Sequence, residues 1–191
     1  MLLHELTDYL EQIAPLRFQE KYDNAGLIYG DPNTELTGAL VSLDCTEAVI
    51  EEAVALGCNI VVSHHPIVFG GIRKFKSDHY VDRTVVAAIK NDVAIYAIHT
   101  NLDNVLRNGV NEKIAQKIGL KHTQILRPKD RNHLETDYDL GSGVIGALSE
   151  QMPEADFLSR LKPSMNLNVI KHTNLLGKPI SKVAVCGGSG S

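Results

Sequence analysis

The feature that most constrains the fold is an alternation of short β-branched segments with amphipathic segments between residues 39 and 119. The pattern of buried strands is found in ALVSLDC, NIVVSHHP and VAIYAIHT, and the helical periodicity in TEAVIEEAVALG, DRTVVAAIKND and GVNEKIAQKIGL. Such alternation predicts an α/β fold with a largely parallel sheet, right-handed crossovers and helices on its faces. The first stretch, MLLHELTDYLEQIAP, predicts one more helix, which ends at Pro15.

The second half of the chain shows a shorter version of this pattern. Residues 127–141 are polar and predict a connector, so we divide the chain into residues 1–126 and residues 127–191. Strand, helix, strand and strand are predicted for GVIGALS, MPEADFLSRLKP, LNVIKHT and KVAVC. Only one helix is present, and the second part is therefore expected to be an incomplete α/β unit. By contrast, KYDNAGLIYGDP is punctuated by glycine, asparagine and proline and predicts loop and turn.

Charge and cysteine usage exclude several classes of protein. A net charge of −4 argues against a nucleic-acid partner, which needs clustered basic residues. No apolar run approaches the length of a membrane helix, and the first residues lack the features of a secretory signal. We therefore expect a cytoplasmic protein without a membrane partner. The scattered Cys45, Cys58 and Cys186 fit no disulfide or zinc-ribbon spacing and predict reduced core thiols.

Side chains that can bind metals follow each of the three predicted strands. In chain order they are Asp44, the pair His64 and His65, and His99 with Asp103. Because ligands bind beyond the carboxyl ends of parallel strands, these groups are expected to lie at one edge of the sheet. Pro66 ends the second strand, which lets both preceding imidazoles face one centre. Imidazoles and a carboxylate suit zinc, iron, manganese or similar ions, so this set predicts the core of a two-metal site.

Simpler interpretations of the same residues stay open. A His-His pair in a loop is more often a surface pair than a set of ligands. His99 can simply cap a strand, and Asp103 can belong to an Asx turn. Asn24 of DNAG belongs either to a turn or to the polar wall of a ligand site. The GGSGS at 187–191 is either a phosphate-binding turn or an artificial linker.

Several segments together resemble one protein family: DNAGLIYGDP, VSLDCTEAVIEEA, NIVVSHHPIVF, AIHTNLDNVLRNGVNEKIA, LGSGVIGAL and KVAVCGGSGS. It is the Nif-three-like dinuclear-metal family, often named type 2 GTP cyclohydrolase I homologues, with SHHP and HTNLD as its specific motifs. The resemblance implies that His64, His65 and Asp103 bind two divalent metal ions. Asn24, His99 and Asp44 are then candidates for orienting these ligands or the substrate. It also makes GGSGS native sequence.

The resemblance further implies a fold and an assembly. The fold is a pair of similar, intertwined, three-layer-like α/β units with mixed, largely parallel sheets, the second of them incomplete here. The assembly is a homohexamer with metal sites facing its interior. Family members continue past CGGSGS with a His-x-x-x-Glu pair that adds ligands. Residues 1–191 lack that pair and are therefore expected to bind metals weakly or not at all, and to form a reduced or compensated oligomer.

Two classes of function follow from this reading. The first is a two-metal-dependent hydrolase that acts on a small molecule or nucleotide, with catalytic residues that the sequence does not identify. The second is a non-enzymatic metal-binding or metal-delivery protein, or an oligomeric scaffold. The second class stays open because no purine-binding motif is recognisable in the chain, and because fold and metal do not determine a substrate.

Overall fold

The computed structural model describes residues 1–129 and 139–188, which form two compact units. The first unit is Met1–Leu102 and the second is Asp103–Ser191. The boundary after residue 126 was inferred from composition, a criterion different from compactness, and it stays a prediction. The predicted connector at 127–141 lies largely on residues 130–138, outside the described part of the chain.

The first unit contains the predicted alternation of strands and helices. Its elements in chain order are α1 (Leu3–Ile13), a 3₁₀ turn (Leu16–Phe18), β1 (Gly26–Tyr29), β2 (Ala39–Asp44), α2 (Glu47–Ala55), β3 (Ile60–His65), α3 (Tyr80–Lys90) and β4 (Ala94–Ala97). The sheet order is β1-β4-β3-β2, and β2, β3 and β4 are parallel. The α/β prediction is therefore confirmed, and the three predicted strands lie side by side.

Strand β1 corrects the loop prediction for KYDNAGLIYGDP. It pairs antiparallel with β4, with Gly26 opposite Ala97 and a register shift between Leu27 and Tyr29. Gly26 and Gly30 have φ values of 113° and 134°, so the glycines that suggested a loop instead allow the chain to enter and leave the sheet edge. A Cβ at Gly30 would lie 2.6 Å from the Cβ of Ala94, and this close approach requires glycine.

Helices cover both faces of this sheet, which makes the first unit three-layered. On one face, Ile50 of α2 and Val85 of α3 belong to a buried cluster with Val61 and Ile95 of the sheet. On the other face, Leu3 of α1 packs in a cluster that includes buried residues of β3 and β4. Burying one such aliphatic side chain contributes roughly 1.5–3 kcal/mol, so β3 and β4 are held firmly between the layers.

The second unit differs from its prediction in sheet type. It contains α4 (Thr100–Asn104, which begins in the first unit), α5 (Val110–Ile118), β5 (Lys121–Pro128), β6 (Gly141–Met152), α6 (Glu154–Ser164) and β7 (Ile180–Val185). The sheet order is β5-β6-β7 and every pairing is antiparallel, so the expectation of largely parallel sheets is wrong here. Strand β5 was not predicted. It follows α5 directly, and because most of its residues are exposed and polar, its sequence lacks the apolar pattern of a buried strand.

One predicted strand is absent from the described part of the second unit. The segment LNVIKHT, residues 167–173, forms no strand, and Val169 in it is 74% exposed. Its β-branched residues favour an extended chain, but a strand also needs a partner to bond with. The helix predicted from MPEADFLSRLKP and the strands predicted from GVIGALS and KVAVC are present as α6, β6 and β7.

The cysteines are reduced, but only one of them is a core thiol. Cys45 is buried, Cys58 is partly buried and Cys186 is exposed, which corrects the prediction for the last of these. Within residues 1–129 and 139–188, no helix has the length and apolar character required to cross a bilayer.

Thiol alkylation should follow this difference in burial. Burial raises the pKa of Cys45 to about 11, so at mildly alkaline pH only about one such thiol in a thousand is the reactive thiolate. We expect iodoacetamide to modify Cys186 readily in the native protein and to leave Cys45 intact, as measured by mass spectrometry of tryptic peptides. In guanidinium both should react. Equal rates in the native protein would contradict the placement of Cys45.

Candidate metal centre

The site lies where three parallel strands end. His64 and His65 are the last residues of β3, Asp44 is the last residue of β2, and His99 follows β4 by two residues. Asp44 and His65 are direct neighbours in the parallel register of β2 and β3. The topology therefore brings these four residues, which are up to 55 positions apart in sequence, to one edge of the sheet, while the same expectation for Asp103 stays a prediction.

The three imidazoles face one another. The ring centroids are 5.0 Å apart for His64 and His65, 5.2 Å for His64 and His99, and 5.6 Å for His65 and His99. One ligand-capable nitrogen from each ring lies within 4.8 Å of those of the other two. Successive residues of a regular strand point to opposite faces, so the convergence of His64 and His65 departs from the regular pattern at the end of β3, next to Pro66.

Each ring is oriented through its Nδ1 atom. The Nδ1 of His64 lies 2.9 Å from the carbonyl oxygen of Ile98, and that of His65 lies 2.7 Å from Oδ1 of Asp44. The Nδ1 of His99 lies 2.8 Å from Oδ1 of Asp23. A carbonyl or carboxylate oxygen can only accept, so each Nδ1 donates its proton and the lone pair of each neutral ring is on Nε2. Metal-binding histidines in proteins are oriented in this way.

This donor set fits a divalent ion that prefers nitrogen ligands. Zinc sites that keep one position open for water or substrate commonly have three protein ligands, and three imidazoles can supply them. Iron, nickel and copper also accept imidazole, whereas magnesium and calcium prefer oxygen. The carboxylates of Asp23 and Asp44 add negative charge behind two of the rings, which favours a cation at the cluster.

Asp23 is held in the ionised state by its partners. Burial by itself raises the pKa of this carboxyl group, but hydrogen bonds from the Thr100 hydroxyl, the His99 ring and two backbone N–H groups outweigh it and lower the pKa below its ordinary value. The side chain of Asp23 is 0% exposed, and that of His99 is 17% exposed. The pair is therefore shielded from solvent.

The remaining predicted residues have more varied surroundings. Asn24 donates from Nδ2 to the carbonyl oxygen of Val68 at 2.7 Å, which ties the DNAG segment to the loop after β3. Asp103 belongs to the second unit, where its carbonyl oxygen accepts a hydrogen bond from Asn111. A Cβ at Gly188, whose φ is 65°, would lie 3.0 Å from Oδ2 of Asp103, so glycine permits this close approach. The roles of Asn24 and Asp103 stay predictions.

Asp23 is a residue of the site that the sequence pattern does not indicate. The pattern indicates the neighbouring Asn24 of the same DNAG segment, because nothing local shows which of two adjacent polar side chains points toward the site. The partner of Asp23 is 76 positions away in the chain. The presence of an aspartate in this segment could have indicated its role, because histidines that bind metals need an acceptor for the Nδ1 proton and a carboxylate is a common one.

Comparisons with known proteins identify the family to which this chain belongs. A family model described as Duf34/NIF3 (NGG1p interacting factor 3) matches residues 1–191. A Clostridium perfringens protein named GTP cyclohydrolase 1 type 2 homolog is 32% identical over 190 residues, which are 100% of this chain and 70% of that protein. A protein of the same name from Clostridium acetobutylicum is 31% identical over 186 residues, covering 97% of this chain and 68% of its own length.

Solved structures show the same fold. The crystal structure of a Staphylococcus aureus hypothetical protein superposes with a TM-score of 0.88 at 29% identity, over 100% of this chain and 73% of that one. A Bacillus cereus protein related to NIF3 has a TM-score of 0.88 at 24% identity, over 100% of this chain and 77% of that one. At this identity the likeness supports the fold alone.

Proposed function

Because the chain belongs to the Duf34/NIF3 family, we propose that it binds divalent metal ions at the cluster of His64, His65 and His99 and acts as a metal-dependent hydrolase. The observation that carries this proposal is the convergence of three imidazoles, each with its Nδ1 bonded to an acceptor. The family resemblance adds Asp103 as a carboxylate ligand and a second ion. When bound, a divalent ion supplies Lewis-acid chemistry that polarises a substrate and promotes ionisation of water.

The residues of this chain supply orientation and charge. Asp44 and Asp23 accept the Nδ1 protons of His65 and His99, the carbonyl oxygen of Ile98 accepts that of His64, and each bond leaves Nε2 as the nitrogen that can face a metal ion. The ring centroid of half-exposed Phe69 lies 6.1 Å from that of His99. This ring offers an apolar surface beside the cluster, against which a small molecule or nucleotide can pack. The cytoplasm is the proposed location, supported by the three free thiols.

The third imidazole changes the expected affinity. Three ligands shared between two ions predict weak binding. With His99 included, one ion has three nitrogen ligands, while a second ion depends on Asp103 and on groups outside the cluster. We therefore expect one ion to bind more firmly than the other. Isothermal titration calorimetry with zinc or manganese should show two binding steps of unequal affinity.

Activity and metal content together test the proposal. The protein is dialysed against metal-free buffer, analysed for metals, and assayed on phosphoesters and nucleotides, GTP among them, with and without added zinc, iron or manganese. We expect retained metal and metal-dependent turnover. Metal retention without turnover on the whole panel would favour the non-enzymatic binding or delivery function, for which the 48% exposed His65 is suited because it permits exchange. Absence of both would refute the proposal.

Self-association is the remaining part of the proposal. The family resemblance implies a homohexamer, and the edge strand β2 supports association because Val41 and Leu43 are 76% and 62% exposed on it. Light scattering should give a multiple of the 20.9 kDa chain mass, and Val41→Lys should reduce it. A monomer at all concentrations would contradict this part.

A further inference from the structure

The carboxylate of Asp23 is the most completely buried charged group beside the imidazole cluster. Its side chain is 0% exposed, and both of its oxygens accept hydrogen bonds. Oδ1 accepts from Nδ1 of His99 at 2.8 Å and from the backbone N–H of Asn24 at 2.7 Å. Oδ2 accepts from the backbone N–H of Thr100 at 3.0 Å and from its hydroxyl group.

These bonds join two distant segments of the first unit. The Thr100 hydroxyl also accepts a hydrogen bond from the backbone N–H of Glu20 at 2.8 Å, so residues 20–24 are attached to the turn that carries His99. Asn101 strengthens the same turn, because its Oδ1 accepts from the backbone N–H of His99 at 2.9 Å and its Nδ2 donates to Ala14. The His99 ring is thus anchored at its backbone and at its Nδ1.

The three orienting acceptors differ in their environment. Asp44 and His65 are 61% and 48% exposed, so water competes for their hydrogen bond and screens their attraction. Asp23 and His99 are 0% and 17% exposed, and a charge-assisted hydrogen bond shielded from water is stronger and more rigid. The rings are therefore not fixed equally, and His99 is held more firmly than His65.

We propose that Asp23 is a positioning residue of this site, which locks His99 in the tautomer with the proton on Nδ1 and so presents Nε2 as a ligand. The assignment rests on the proposed metal binding only for its effect on affinity. The effect on the tautomer of His99 is a property of the metal-free protein. The two consequences can therefore be measured separately.

The Asp23→Asn variant tests this assignment because an amide offers only one acceptor oxygen. If that oxygen faces His99, the NH₂ group faces the donors of Thr100, and if the amide is turned, the NH₂ group faces the Nδ1 proton of His99. Either arrangement loosens the ring. Asp44→Asn is the matched comparison, since it makes the same chemical change behind His65 in an exposed position.

Nitrogen NMR of the histidine rings gives the direct readout. In ¹⁵N-labelled, metal-free protein at mildly alkaline pH, with the signal of His99 assigned through His99→Gln, we expect a single Nδ1–H tautomer. Asp23→Asn should produce a mixture of tautomers and weaken zinc binding by about 10–100-fold, with backbone spectra otherwise native. Asp44→Asn should weaken zinc binding less than Asp23→Asn does.

Three results would overturn the assignment. They are an Nε2–H or averaged tautomer of His99 in the unmodified protein, a folded Asp23→Asn variant with an unchanged tautomer and zinc affinity, and an equal or larger loss in Asp44→Asn. If Asp23→Asn does not fold, the tautomer in the unmodified protein still decides. If no variant binds zinc, the proposed function fails while the tautomer measurement continues to test the role of Asp23.

Discussion

The double variant His64→Ala, His65→Ala is expected to lose more than about 100-fold in affinity for its first divalent ion. Removal of one orienting partner of a ligand typically costs about 10–100-fold, and removal of two ligands should cost more. Since both residues end β3 at the rim of the sheet and neither lies in the buried clusters, the fold should persist. Competition with a coloured chelator measures the affinity, and circular dichroism confirms folding.

A histidine outside the cluster provides the matched control. His172 is exposed in the second unit, and its Nδ1 bonds only the neighbouring carbonyl of Thr173 among the contacts described. His172→Ala should therefore leave metal affinity unchanged. If the double variant kept the affinity of the unmodified protein, the metal would have to bind at other residues.

Ile50→Ala is expected to destabilise the first unit by about 2–5 kcal/mol. Ile50 is 0% exposed in the cluster between α2, α3 and the sheet, and truncation of a buried isoleucine loses both transfer free energy and packing contacts. Val54→Ala in the same helix is the control, because Val54 is 45% exposed and its truncation should cost little. Urea unfolding followed by circular dichroism measures both, and equal losses would contradict the layer arrangement.

The sequence predicted the centre of the first unit well. Strands β3 and β4 are continuous apolar runs because both of their faces are covered, and such runs are recognisable without any partner. Thr46 is the N-cap of α2, where its hydroxyl accepts from the N–H of Val49, and Gly119, with φ 78°, is the C-cap of α5. Both ends are local signals and were therefore predictable. The strand ends in turn located His64, His65 and His99.

Features that depend on distant partners were not predictable in the same way. Strand β1 has only four residues between two glycines, and its pairing with β4 makes it a strand. The antiparallel pairing of β5, β6 and β7 depends on which strands become neighbours in the sheet. Short apolar segments do not determine this locally. Asp23 acquires its role from a hydrogen bond to a ring 76 positions away. Local pattern therefore located the three histidines of the cluster and missed the residue that orients His99.

Anomalous X-ray diffraction at the zinc absorption edge tests the central claim most directly, on crystals of the full chain equilibrated with zinc. The account predicts one strong peak at about 2.0–2.1 Å from Nε2 of each of His64, His65 and His99. Two results would contradict the three-imidazole site. One is the absence of a peak at these rings, and the other is a zinc ion bound by His64 and His65 while His99 lies beyond bonding distance and keeps only its hydrogen bond to Asp23.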